Sequence, residues 1–332
     1  MPFTHVRGQR AAVDTLLHAL ARGRVHHAYR FEGPDGVGKE LAAMALAQAL
    51  VCASGDPLGC GACDACRRAT TFSTERPEVP MHPDVQLVER NLYPPDVLGR
   101  SRPELQEISV DQIRKIVLQH AGFAPYEGRS RVFVVRRADE LSISAANALL
   151  KTLEEPRAST HFVLLTARPE RLLDTIRSRT LPVRFGPLPD DVLRDVLRAR
   201  GVDGARAEAA IELAAGSASA ALDLADEEAS AGRDAFVQTM LEAVAARDLA
   251  PAVAAADGGD RDKAALRRDL RALGAALTRD ARARAAAADD HAAALAARRY
   301  ELVAEAATTL DKNASPQLTL IALVAAMRDA VA

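Results

Sequence analysis

Gly33-Pro34-Asp35-Gly36-Val37-Gly38-Lys39 has the Gly-x-x-x-x-Gly-Lys spacing of a phosphate-binding loop, and Glu40 follows where that motif takes Ser or Thr. The flanks supply the context the loop needs. His26-His27-Ala28-Tyr29-Arg30-Phe31-Glu32 reads as a buried strand entering it, and Lys39 to Cys52 as an Ala- and Leu-rich helix leaving it. In a strand–loop–helix of this kind, backbone N–H groups and the helix N-terminus surround phosphate oxygens while the lysine ammonium reaches the terminal ones. Gly33, Gly36 and Gly38 provide the permissive backbone and Lys39 the charge. The missing Ser or Thr is a magnesium ligand. Glu40 either repels phosphate oxygens or serves as a first-turn carboxylate favoured by the helix dipole. Both readings predict weak binding of a magnesium-nucleotide.

Around this loop, strands alternate with helices. Val13 to Ala21 carries Val13, Leu16, Leu17 and Leu20 at helical spacing. His82 to Glu89, Arg131 to Arg136, His161 to Thr166 and Leu181 to Phe185 read as further strands. Ser109 can cap a helix after the Pro-rich stretch 90–108, Ser144 to Glu154 reads as a helix stopped by Pro156, and Leu172 to Ser178 as a short one. This alternation predicts a parallel α/β sheet covered by helices. It ends at Gly186-Pro187-Leu188-Pro189, and nothing later reads as strand. The expected organisation is therefore an α/β domain over 1–186, a small helical unit over 187–230 and an Ala-rich helical domain over 231–332, with Leu266, Leu270, Leu273 and Leu277 on one helix face.

Nucleotide hydrolases of this type end a central strand with a magnesium-binding Asp, often followed by a Glu that activates water. Here the strand over 131–135 is followed by Arg136-Arg137, and the acids arrive only at Asp139 and Glu140. Arginine neither ligates magnesium nor accepts a proton at neutral pH. Three residues of offset also move a side chain by several Å.

Cys52-x7-Cys60-x2-Cys63-x2-Cys66 gathers all four cysteines of the chain into one Gly-rich segment. In a reducing compartment, such clustering points to a metal rather than to disulfides. Four thiolates suit a closed, structural tetrahedral zinc site, and the same ligands also suit an iron–sulfur cluster. Only Arg67 and Arg68 add charge nearby, so a structural or protein-contact role is expected rather than a nucleic-acid knuckle.

The composition excludes several classes. The chain has 332 residues, 48% of them hydrophobic and 27% charged, as in globular proteins. A net charge of −2 gives no global attraction to nucleic acid, and aromatic residues at 4% with no Trp argue against a base-stacking platform. No apolar run has membrane-spanning length, and Met1 to Arg10 lacks an apolar signal core, so a cytoplasmic location without membrane contact is expected.

Three stretches then carry a resemblance. Ala145-Ala146-Asn147-Ala148-Leu149-Leu150-Lys151-Thr152-Leu153-Glu154-Glu155-Pro156 resembles the signature helix of bacterial clamp-loader subunits and replication factor C. Thr175-Ile176-Arg177-Ser178-Arg179-Thr180 is similar to their Ser-Arg-Cys motif, with Thr180 in place of Cys. The four-Cys insertion after the phosphate loop is shared by the gamma/tau and delta-prime members, and Asn313-x-x-Pro316-Gln317-Leu318 fits the family's final helix. Gamma/tau members keep Thr after the Lys, the Asp-Glu pair, and an Arg in a Gly-Ser-x-Arg-Asp-Ala-Leu segment. That segment is Gly216-Ser217-Ala218-Ser219-Ala220-Ala221-Leu222 here, with Ser219 for the Arg. The three losses together resemble the delta-prime class.

The resemblance implies a P-loop AAA+ domain with a zinc module, a helical lid and a C-terminal oligomerisation collar. It implies a non-hydrolysing stator in a DNA polymerase III clamp loader, assembling with gamma/tau and delta subunits to load the sliding clamp on primer-template DNA. No independent ATPase activity is expected of such a chain. Arg179 would act as an arginine finger in trans on a neighbour's ATP, where a guanidinium stabilises charge on the transferring phosphate. Asn147 and Lys151 would face the DNA chamber or pack within the ring. The alternatives are an ATP-hydrolysing gamma/tau-like subunit and, outside the family, a zinc-dependent nucleic-acid-binding protein.

Overall fold

The computed structural model describes residues 2–101, 107–246, 263–311 and 314–330; Asn313 and residues 102–106 lie outside them. The chain packs as two units. One comprises Met1–Asp203 with Ala214–Ala220, the other Gly204–Leu213 with Ala221–Ala332.

The first unit is built on five parallel strands, β1 (Ala28–Glu32), β2 (Val85–Val88), β3 (Arg131–Val135), β4 (Thr160–Thr166) and β5 (Leu181–Arg184), in the order β2-β3-β4-β1-β5. Strands covered on both faces are apolar without alternation, and Val132, Phe133, Val134 and Val135 are all fully buried. Register places Phe31 between Leu165 and Val183, so the strand that feeds the phosphate loop is flanked by β4 and β5. The helices of this unit are α1 (Arg10–Ala21), α2 (Lys39–Val51), α3 (Asp64–Thr70), α4 over 110–121, α5 (Ile143–Glu154), α6 (Asp174–Arg177) and α7 (Asp190–Arg198). Ser109 caps α4 as expected, its hydroxyl accepting the Gln112 N–H at 3.3 Å. The middle of α4, Ile113–Leu118, is wound as π-helix. Ser142 caps α5 in the same way through the Ala145 N–H at 3.1 Å. One face of the sheet packs Phe133, Val135, Phe162 and Leu164 against Ile113, Val117, Leu149 and Ile176, with the Phe133 and Phe162 rings stacked at 5.2 Å.

Three elements are shorter than the sequence suggests. β1 starts at Ala28; just before it, His26 Nδ1 lies 2.8 Å from Ala28 O, His27 Nε2 meets Leu153 O at 3.1 Å, and His27 O accepts the Phe162 N–H at 2.7 Å. β2 starts at Val85. Before it, the wholly buried Asp84 carboxylate accepts the N–H groups of Tyr126, Glu127 and Gly128 and the Arg131 guanidinium. Burial opposes ionisation of Asp84, but those donors outweigh it and hold the pKa below the ordinary value. α6 is a single turn because Leu172 and Leu173 are extended after the 3₁₀ turn Pro169–Arg171.

Beyond Phe185 the described residues hold helices and no strand, as expected. They form α8 (Gly204–Ala214), α9 (Ala218–Ala225), α10 (Glu227–Ala245), α11 (Lys263–Ala286), α12 (Asp290–Asp311) and α13 (Pro316–Asp329). A short turn with Ala288 in the left-handed region (φ 59°) folds α12 back along α11. Leu266, Leu270, Leu273 and Leu277 are buried, and they meet Phe236, Met240, Val303, Leu310, Leu323 and Met327 in one core. The expected stripe is thus the seam of this bundle. No described helix is long and apolar enough to cross a membrane.

Candidate functional site

The expected phosphate loop lies at the carboxyl end of β1, where α/β sheets place ligand sites. Gly38 is left-handed (φ 97°) and opens α2. Two other glycines are required by close approaches. A β-carbon at Gly33 (φ 148°) would stand 2.1 Å from Phe185 O, and one at Gly36 (φ 74°) would stand 2.1 Å from Ser219 Oγ and 2.4 Å from Ser217 Oγ. The Ala218 N–H also donates to Gly36 O at 2.9 Å. The turn at 217–219, which carries Ser219, therefore sits directly on the loop. Lys39 is buried and folds back, donating to Gly33 O at 2.5 Å and Pro34 O at 2.6 Å. Burial lowers its pKa, against opposition from Asp35 and then Asp139.

The two positions where the motif fails are joined to each other. Arg136, one residue beyond β3, forms an ion pair with Glu40, the residue after Lys39. Its other terminal nitrogen donates to Glu89 at 2.8 Å, beyond the end of β2, and the Arg136 N–H donates to Val88 O at 2.9 Å. The guanidinium also lies over the Phe72 ring, 5.9 Å from its centroid. Its pKa is raised: burial pulls downward, and Glu40 with Glu89 outweighs it. Glu40 is thus ion-paired rather than a free first-turn anion. The later acid, Asp139, is also engaged. Its carboxylate accepts from Thr166 Oγ1 at 2.8 Å and from Arg168 Nε at 3.0 Å.

The four cysteine sulfurs lie within 4.8 Å of one another. A tetrahedral zinc with Zn–S bonds of about 2.3 Å sets sulfurs roughly 3.8 Å apart, and Cys60 and Cys66 are 3.9 Å apart. Backbone N–H groups already point at three sulfurs: Cys60 N–H at Cys52, Cys63 N–H at Cys60 and Cys66 N–H at Cys63, at 3.3–3.4 Å. The Cys60 thiol is pulled down to about 6, first by the Ser54 hydroxyl and then by the Cys63 N–H. The donor set therefore fits a metal that takes four thiolates. α3 is a helix distinct from the cysteine loop before it; it starts on Cys63 as its cap and carries Cys66.

Arg179 lies just past α6, with its side chain one-third exposed (33%) and paired with Glu154 at the end of α5. Asn147 and Lys151 are exposed on α5, in line with Ile143, which is 71% exposed. The phosphate loop, the cysteine cluster and the Arg179–Glu154 pair are separate places on the first unit, each at a loop or helix end.

A family model described as DNA polymerase III, delta subunit, matches residues 8–189. The chain belongs to this family of clamp-loader subunits. The matched span holds the phosphate loop, the cysteines, α5 and Arg179. The resemblance to the delta-prime class is borne out by a relative as well: the DNA polymerase III subunit delta' of Bacillus subtilis is 34% identical over 189 residues, 57% of this chain and 51% of that protein. The gamma/tau subunit of Mycobacterium tuberculosis is 35% identical over 196 residues, 59% of this chain and 30% of that protein. The chain thus matches about half or less of the length of these relatives. A DNA polymerase III gamma subunit-related protein from Thermotoga maritima shares the fold, with a TM-score of 0.50 at 16% identity, covering 95% of this chain and 98% of that one.

A double-mutant cycle on Glu40→Ala and Arg136→Ala, followed by urea unfolding, should give a coupling of about 0.5–1 kcal/mol, the scale of a partly exposed ion pair. Additive effects would mean that the two positions do not stabilise each other.

Proposed function

We propose that this chain is a non-hydrolysing, stator-type subunit of a cytoplasmic DNA polymerase III clamp loader. The observation that carries the reading is the Arg136–Glu40 pair. A magnesium ion drawn to Glu40 would meet the guanidinium bound to it, and no hydroxyl follows Lys39 to ligate the metal. The loop's own lysine is satisfied by loop carbonyls, so triphosphate has to displace two hydrogen bonds before Lys39 can reach it. Nucleotide binding through Gly33, Gly36, Gly38 and Lys39 is accordingly weak or absent in this reading.

The partners are gamma/tau-type and delta-type subunits, and the sliding clamp and primer-template DNA are met through the complex. Residues 187–230 serve as the lid and 231–332 as the oligomerisation collar. Arg179 is offered to the ATP of a neighbouring subunit, where it stabilises transition-state charge in trans. Asn147 and Lys151 lie on the surface facing the DNA chamber. Zn²⁺ on Cys52, Cys60, Cys63 and Cys66 is the structural metal, and it holds α3 in place.

Two measurements test this reading. Arg179→Ala should lower ATP turnover of the reconstituted complex at least roughly tenfold while subunits still co-elute, since in-trans arginines contribute about 10³–10⁵ in related phosphoryl-transfer systems; unchanged turnover would remove the finger role. Metal analysis of protein purified without chelator should find about one zinc per chain, and Cys63→Ser should lose that zinc and lower the melting temperature. Metal-free protein of unaltered stability would eliminate the site.

A further inference from the structure

We infer that Glu154 is the holder of the Arg179 finger: a carboxylate that binds the guanidinium within the subunit and must release it to a neighbour's phosphate. The inference rests on the reading of Arg179 as a group acting in trans.

The base of the finger is fixed from inside the domain. Thr180 is buried, and its hydroxyl donates to Ile176 O at 2.9 Å and accepts from Arg30 Nη1 at 2.7 Å. The same Arg30 nitrogen donates to Arg177 O at 2.9 Å, and Arg30 Nε is held by Glu32 at 2.6 Å. Because Arg30 belongs to β1, the turn bearing Arg179 is bolted to the sheet, and only the side chain is left to move. Arg179 Nη1 donates to Thr175 O at 2.9 Å and to Ser178 Oγ at 3.2 Å. Nη2 is bound by Glu154.

Glu154 occupies a position that helix electrostatics disfavour. It is the last residue of α5, where the dipole carries partial negative charge, and Glu155 follows it. The guanidinium offsets this repulsion. Both side chains are partly open, Arg179 at 33% and Glu154 at 46%, and they line a cleft of about 590 Å³ together with His26, His27, Leu153 and Thr180. A carboxylate and a phosphate oxygen are competing acceptors for the same charge-assisted donor. Transfer of Nη2 from one to the other breaks the Glu154 contact and leaves an unpaired acid at the negative end of α5. The helix with Asn147 and Lys151 on its exposed face is thereby tied to the state of the finger.

The test is steady-state ATP turnover of the clamp loader reconstituted with partner subunits. Glu154→Gln should raise kcat/KM for ATP by roughly two- to fivefold, the range that corresponds to loss of an exposed ion pair. Glu154→Asp, which retains the charge, should stay near the parent value. In an Arg179→Ala background, Glu154→Gln should change nothing, which a purely structural role for Glu154 would not produce. A fall or no change with Glu154→Gln, while Arg179→Ala still lowers turnover, would overturn the holder role and leave the finger standing. No effect of Arg179→Ala would overturn both.

Discussion

One guanidinium organises the carboxyl edge of the sheet. Arg136 leaves β3, takes Glu40 on one terminal nitrogen and Glu89 on the other, and so joins the first turn of α2 to the end of β2. In a working magnesium site the same space has to attract a dication and a polyanion together. Here the charges are matched within the protein. The attraction of Glu40 for a cation is opposed by the arginine bound to it. Lys39, the group that would draw phosphate, turns to the carbonyls of Gly33 and Pro34. The loop keeps its shape because its glycines serve packing as well: Gly33 admits the backbone of Phe185 and Gly36 admits the hydroxyls of Ser217 and Ser219. Glu40 and Arg136, the two residues that depart from the motif, are in this way partners of each other.

The cysteine segment is fastened to the edge of that sheet by the same kind of interaction. The His82 N–H donates to Arg68 O at 3.2 Å, and the Arg68 side chain pairs with Asp64 and with Glu127. Glu127 belongs to the turn whose N–H groups converge on the buried Asp84. A metal on the four thiolates would order α3, and α3 would in turn brace the approach to β2. In that arrangement the module would brace the fold without any contact with nucleic acid.

Much of the first unit was legible because its strands are short apolar runs and α4 carries the Ser109 cap, features that depend on neighbours in sequence. The phosphate loop, the cysteine spacing and the Leu266–Leu277 stripe were visible for the same reason. What the sequence concealed depends on pairing across the sheet. Glu40 and Arg136 read as two separate losses, and only the fold brings α2 and the end of β3 together so that each is the other's partner. A register of β2 beside β3 would have placed Glu89 near Arg136, but that order cannot be deduced from periodicity. The side-chain partners of His27 and Asp84, at Leu153 and at 126–128, were hidden likewise. The Glu154–Arg179 pair spans two motifs, each legible alone.

A phosphate loop closed by its own charges would leave the chain, as proposed above, without nucleotide turnover of its own. The most direct measurement is magnesium-dependent ATP hydrolysis by the purified chain without partners, beside a Lys39→Ala variant. Both proteins should remain at the background rate. Magnesium-dependent turnover by the parent chain that disappears in Lys39→Ala would contradict that expectation.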